Sequence, residues 1–320
     1  MNKPAGTLSY KEYNRNNRWR QAKKNILKNW QLYIFILPAF LYFLIFAYVP
    51  MYGIQMAFKD FSPKLGITGS PWADPWYKHF LSFISAWNFK DIMLNTFTLA
   101  LYRLVATFPI PIILALLINE VKNLKFKKLV QNVTYAPYFI SMVVLVGMMD
   151  LLFAQNGIIN QLIVMLGGES FNFLMNPSAF KHMYVWSDVW QKTGYSAVIY
   201  IAALAGVPNE LHEAAMMDGA SRLKRIWHIN IPHILPTIII LLIMECGAVM
   251  NIGFEKIFLM QNDVNAMASE VISTYTYKLG ILQRNYGLSA AVGLFNNLIN
   301  LVLLLTVNTA ARKVSDTSLF

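Results

Sequence analysis

Residues 213–236 read EAAMMDGASRLKRIWHINIPHILP, a charged and polar interruption between long apolar runs. Pro208 to Met217 reads as a short helix: Pro208 stands where its missing N–H costs little, and Glu210 and Glu213 fall in the first turns, where the helix dipole favours acids. Gly219 supplies the positive φ of a helix C-terminal turn, and Ser221 can cap a second helix that runs to Pro232. Ala214, Ala215 and Ala220 keep the elbow thin, while Leu211, Ile226 and Ile229 offer apolar contacts. The pattern predicts a helix-turn-helix knob over residues 208–236, small enough to enter a groove on another protein. A connector resting on a membrane surface has the same composition, so the flanking sequence must choose between the two.

Those flanks belong to an integral membrane protein. Of 320 residues, 56% are hydrophobic and 13% charged, a balance that cannot clothe a water-soluble protein of this size. A bilayer core takes roughly 20 mostly apolar residues per helical crossing, and six stretches meet that length: Leu32 to Phe58, Ile92 to Asn119, Val133 to Phe153, Tyr184 to Ala205, Ile234 to Phe254 and Tyr286 to Val307. Short alternating segments, the mark of a transmembrane barrel, are not visible. The expected fold is all-α and polytopic with six transmembrane helices. Residues 1–31 form a basic segment, 32–58 the first span, 59–91 an exterior loop, 92–308 a core with spans two to six and the knob, and 309–320 a tail.

Lys and Arg concentrate at residues 3–28, 122–128, 222–225 and 312–313, which places both termini and the knob on the cytoplasmic side. The net charge of +11 is thereby assigned to membrane lipid rather than nucleic acid, because the basic residues flank the membrane entries. Tyr10 to Trp30, with Trp19 and Trp30 among its cations, suits either a segment lying along the headgroups or a flexible tail. The first apolar run starts late and is too long for a cleavable signal, so it is expected to remain as a span. The exterior loop, with turn formers Pro63, Gly66, Gly69, Pro71 and Pro75 beside Trp72 and Trp76, fits an external partner or an aromatic belt equally. The single Cys246 provides no disulfide framework or cysteine metal site. His182, His212, His228 and His233 have no metal-ligand spacing, and no G-x-S-x-G elbow occurs, so no catalytic or metal-binding residue is expected.

The knob resembles the EAA loop of binding-protein-dependent ATP-binding-cassette (ABC) importer permeases. Glu213, Ala214, Ala215, Asp218, Gly219, Ala220, Ile226, Ile229, Pro232 and Pro236 all stand at that pattern's positions. The likeness runs from about Lys90 to the C-terminus: Asn95 and Thr96 open the second span, Gly157 and Asn160 form a G-x-x-N after the third, and Trp190, Gly194 and Tyr195 form a W-x-x-x-G-[FY] in the fourth. Tyr48, Pro50, Gly53 and the string Ala57-Phe58-Lys59-Asp60-Phe61 look like the carbohydrate branch, and within it the complex-oligosaccharide and polysaccharide permeases served by lipoprotein binding proteins.

The resemblance implies a type I importer fold in a bacterial cytoplasmic membrane. This chain would be half of a translocation path, beside a second permease that the branch likeness suggests is a different chain. Two ATPase subunits and an extracytoplasmic sugar-binding lipoprotein would complete the machine. Glu213, Ala214, Ala215, Asp218, Gly219 and Ala220 would then couple to an ATPase. No G-x-x-x-x-G-K-[ST] loop is present, so ATP and Mg belong to the partner ATPases and this chain binds no cofactor. The competing assignment is a secondary transporter driven by an ion gradient, which usually shows two repeated halves; no repeat is evident.

Charges inside spans are costly enough to be functional candidates, and Arg103, Asp150 and Glu245 stand out. Arg103 lies about 11 residues and Glu245 about 9 from the outer ends of their spans, so at ~1.5 Å per residue they share a depth and can form an ion pair or a shared polar network, as a brace or within the path. Trp190, Tyr195, Glu245, Asn251 and Asn297 are the expected substrate-path residues, since sugars are held by aromatic faces and oriented polar groups. Uncharged amides and rings suit a neutral sugar, while Arg103 also admits an acidic one.

Overall fold

Seven of the chain's 13 prolines lie between Val49 and Pro137, and where they fall decides how the long apolar segments bend. The computed structural model describes residues 24–25 and 27–314. Most of the basic stretch from Tyr10 to Trp30 and the tail residues 315–320 lie outside the described residues. Helix α1 (Trp30–Phe58) carries Pro38, and a widened π turn at Leu44–Tyr48 precedes Pro50. Proline removes an i to i−4 bond and crowds that carbonyl, and a local π turn absorbs the mismatch. No residue of Trp30–Met51 is buried, the state of an apolar helix whose solvent is lipid.

The chain then enters the segment expected to be exterior, residues 59–91. Asp60 N–H donates to the Pro71 carbonyl at 3.0 Å and Ala73 N–H to the Phe58 carbonyl at 2.9 Å, closing a loop under which Lys59 donates to the Ile67 carbonyl at 2.6 Å and sits over Trp72. This closure includes an antiparallel bridge, Lys59 with Trp72, and no strand occurs among the described residues. Helix α2 (Lys78–Ile84) buries Phe83 against Phe89 and Phe295, so the exterior segment is seated on the body rather than free.

The body is built from α3 (Phe89–Glu120), α4 (Leu124–Phe139), α5 (Met142–Leu152), α6 (Ile158–Met165), α7 (Pro177–Leu204), α8 (Asn209–Met217), α9 (Arg222–Gly247), α10 (Phe254–Met260), α11 (Ala266–Ser269), α12 (Ile272–Tyr277) and α13 (Tyr286–Val314). Helix α7 is the hub: it packs against both halves of α3, against α4 and against α9, while α13 packs against α9, α2 and the end of α1. Small residues permit the approach. Ala115 of α3 and Ala197 of α7 are fully buried in one cluster with Tyr200, Leu204 and Ile234, the close-packed interface that membrane helices use.

Four helices are long and apolar enough to cross a membrane among the described residues: α1, α3, α9 and α13. The expected third span, Val133 to Phe153, is not straight. Helices α4 and α5 meet at 99°, because Pro137 tightens the end of α4 into a 3-10 turn, Ile140 is extended and Ser141 caps α5. Counting that pair as one span gives five. The expected fourth span falls within α7, whose 28 residues extend about 42 Å at 1.5 Å per residue; its polar and charged side chains keep it below the apolarity of the other four. The fifth differs at both ends. Its helix runs through Pro232 from Arg222, with a π turn at Ile226–Asn230 taking up the proline, and stops at Gly247 rather than at Phe254.

The short motifs act as fasteners. Asn160 is buried, donates to the carbonyls of Ala154 and Phe171 at 2.8 and 2.9 Å and accepts from Phe171 N–H at 2.8 Å. A Cβ at Gly157 would lie 2.6 Å from two backbone oxygens, and one at Gly194 would lie 2.0 Å from the Thr134 carbonyl oxygen. Asn95 donates to the Met267 carbonyl at 2.7 Å, and Thr96 accepts from Ile272 N–H at 3.0 Å. Replacing Gly194 by Ala is expected to force α4 off α7 and destabilise the protein by about 1–3 kcal/mol. Gly147→Ala, whose added methyl meets nothing within 4 Å, should instead stabilise α5 by about 0.5–1 kcal/mol. Thermal unfolding midpoints of the two purified variants moving in opposite directions is the expected result.

Candidate functional site

A carboxylate buried in the middle of a long helix must be compensated, and Asp188 of α7 is compensated three times. It is 1% exposed. Its Oδ2 accepts from Arg103 Nε of α3 at 3.0 Å and from Lys192 Nζ, one turn along α7, at 3.0 Å. Its Oδ1 accepts from Lys256 Nζ of α10 at 3.2 Å. Lys256 is itself buried, donates to the Tyr184 carbonyl at 2.9 Å and lies 4.7 Å from the centroid of the Tyr184 ring. The cluster therefore ties α3, α7 and α10, inside an apolar shell that includes Leu99, Val185, Val189 and Ile257.

Beside it opens a cavity of about 320 Å³ walled by α3, the end of α4, α7 and α9. Arg103 and Lys192 line it from one side and Glu245 from α9; Thr107, Thr193, Ser196 and the rings of Tyr138, Tyr195 and Tyr200 complete the polar part. Tyr138 and Tyr195 stack in parallel, with centroids 3.9 Å apart and planes within 9°. The bend between α4 and α5 brings Tyr138 there, and Gln191 holds the bend by donating to the Ile140 carbonyl at 2.9 Å.

The ion pair expected between Arg103 and Glu245 is not formed. Arg103 is taken by Asp188, a carboxylate on the nearer helix, while Glu245 acts on Arg103 from across the shared cavity. Of the other residues anticipated from sequence, Tyr195 and Glu245 share this cavity. Trp190 lines a separate apolar cavity of about 330 Å³ with Trp186 and Met183. Asn251 accepts from Asn296 and Asn300, each at 3.0 Å, and Asn300 also takes Met250 N–H, so this amide group fastens the chain where α9 ends. Asn297 and Asp150 are exposed. Sequence reasoning passed over Asp188, Lys192 and Lys256; the signal available was an Asp and a Lys four residues apart within an expected span.

The knob's geometry follows its sequence closely. Helix α8 ends in a Schellman turn: Ala220 N–H donates to the Ala215 carbonyl at 2.8 Å and Gly219 N–H to the Met216 carbonyl at 3.1 Å. Gly219 has φ +74°. Ser221 then caps α9 by accepting Lys224 N–H at 3.4 Å. Glu213, Ala214, Asp218 and Gly219 are exposed, Ala215 and Ala220 half-buried, and Leu211, Met216, Met217, Leu223 and Trp227 present apolar surface around them.

Removing Asp188 leaves Lys256 charged and buried, so Asp188→Ala is expected to cost about 3–5 kcal/mol. Pairing it with Lys256→Met should recover part of that loss, checked by thermal unfolding in detergent.

Three comparisons bear on this arrangement. Residues 79–316 match the family model described as "Binding-protein-dependent transport system inner membrane component". The polygalacturonan/rhamnogalacturonan transport system permease protein YteP of Bacillus subtilis is 42% identical over 290 residues, 90% of each chain. Protein LplB of the same organism is 41% identical over 303 residues, 94% of each. A solved structure described as a bacterial ABC transporter involved in the import of the acidic polysaccharide alginate superposes with a TM-score of 0.85 at 35% identity, covering 92% of this chain and 99% of that one. A second solved structure, described as a bacterial alginate ABC transporter in complex with alginate pentasaccharide-bound periplasmic protein, superposes with a TM-score of 0.84 at 35% identity, covering 92% of this chain and 99% of that one. A match over most of the chain, together with the helical body and the charged cavity, places this protein in the family of inner membrane components of binding-protein-dependent transport systems.

Proposed function

We propose that this chain is one of two permease subunits of an ATP-driven importer and forms half of the path for an oligosaccharide or polysaccharide. The observation that carries this reading is a tyrosine-lined cavity with charged groups on its walls, joined by one helix to an exposed elbow. Helix α9 begins at the Ser221 cap and ends with Leu241, Met244 and Glu245 on the cavity wall. Over those residues it spans about 36 Å at 1.5 Å per residue. A displacement of the knob is thereby delivered to the cavity as a displacement of one wall. The relatives named for polysaccharide transport support the cargo class.

In this reading the chain crosses the membrane six times with both termini inside, α7 and the bent α4–α5 pair supplying two of the crossings. Its core is residues 92–308. The knob docks in a cleft of a cytoplasmic ATPase, with Glu213 as a charged contact, the exposed methionines as apolar ones and Gly219 setting the angle between the two helices. A second permease closes the open side of the cavity, two ATPases supply ATP and Mg, and an extracytoplasmic binding protein delivers sugar.

The elbow gives the test. A side chain at Gly219 meets no steric obstacle within 4 Å, so only its positive φ resists substitution. Gly219→Val strains the turn by roughly 1–2 kcal/mol, whereas Asn tolerates this conformation. Purified with its companions and reconstituted in liposomes, the Val variant is expected to remain assembled and hydrolyse ATP with uptake reduced at least several-fold, and the Asn variant to transport. Normal uptake by the Val variant would overturn the coupling role; failure of any ATPase to copurify with the wild-type chain would overturn the importer reading.

A further inference from the structure

We infer that Arg103 and Lys192 form a carboxylate-reading subsite, and that the cargo is an acidic oligosaccharide carrying uronate groups. This deepens, and rests on, the importer reading.

Charge balance is the first argument. Arg103, Lys192 and Lys256 all bond Asp188, and Glu245 lines the same cavity as Arg103 and Lys192. These five groups sum to one positive charge, held at membrane depth where uncompensated charge is expensive. One bound carboxylate brings the sum to zero. A neutral sugar leaves it unchanged.

Donor geometry is the second. Asp188 takes only the Nε of Arg103. The two terminal Nη groups, the edge of the guanidinium that grips a carboxylate with two parallel bonds, donate to nothing among the described residues, and Arg103 lines the cavity. Lys192, 35% exposed, stands on the same wall. Thr193 and Tyr195 line the cavity beside them. The stacked Tyr138 and Tyr195 supply an aromatic surface for the sugar ring.

Release is the third. A transport site must bind firmly enough to admit its cargo and weakly enough to let it go. Asp188 already occupies one donor of Arg103 and one of Lys192, so the incoming carboxylate competes with a resident counter-ion instead of meeting two bare cations. Glu245, carried on the helix that leads from the knob, adds repulsion that grows if α9 moves inward.

The experiment uses the assembled importer in nanodiscs without binding protein, so that the path alone is probed. Equilibrium binding is measured for tetragalacturonate, for tetramannuronate and for the carboxyl-reduced counterpart of each. The wild type is expected to favour at least one uronate sugar over its reduced form by about 10-fold or more. Lys192→Gln and Arg103→Gln should each erase that preference, a loss of about 10- to 100-fold in uronate binding, the scale of one charge-assisted contact. Arg103→Lys should keep part of it. Lys192→Gln leaves the buried Lys256–Asp188 pair in place and so guards against misfolding of the arginine variants. Equal binding of acidic and reduced sugars, no binding of any of them, or an unchanged preference in Lys192→Gln would overturn the subsite. If ATP-driven uptake persists beside any of these results, the importer reading stands and only the subsite falls.

Discussion

The buried Asp188 carboxylate constrains the rest of this structure. One acid at the centre of a long helix draws a cation from α3, one from its own helix and one from α10, and each bond is also a tether between elements. Breaking any of them leaves an unpaired charge in a medium that cannot solvate it, so the three helices are held in one arrangement. That arrangement turns Arg103 so that its Nε is spent and its other edge lines the cavity. The small residues at the α3–α7 contact serve the same end, since only a close approach lets a side chain from α3 reach Asp188.

Much of this was legible in the sequence, for physical reasons that can be named. A Gly at the end of a short helix followed by Ser has few conformational options, and the Gly219 elbow with its Ser221 cap formed as that pair dictates. Lengths of apolar runs located α1 and α3 within three residues and the start of α13, which then continues seven residues past the expected Val307. Other features depend on tertiary contacts that periodicity does not carry. The bend after Phe139 needs Gln191 and Tyr195 of a distant helix to hold it. Pro232 read as a helix end, but a π turn one residue earlier lets the helix continue.

The cavity was half legible. Arg103 and Glu245 were conspicuous because an isolated charge in an apolar run has no local excuse. Asp188 and Lys192 escaped notice because an acid and a base one turn apart look self-contained, and Lys256 because it follows the expected end of a span. The arginine therefore acquired the wrong partner. Asn251, an amide in an apolar run, suggests a sugar path by its residue type, and in the structure it accepts from Asn296 and Asn300 where α9 stops.

Asp188, and not Glu245, holds Arg103 beside the cavity. Electron cryomicroscopy of the assembled importer, with and without bound tetragalacturonate, tests this directly. Arg103 Nε is expected at hydrogen-bond distance from Asp188 in both states, with sugar carboxylate density at the terminal guanidinium nitrogens in the second. Arg103 paired with Glu245 in the sugar-free complex, with Asp188 held by the lysines alone, would contradict it.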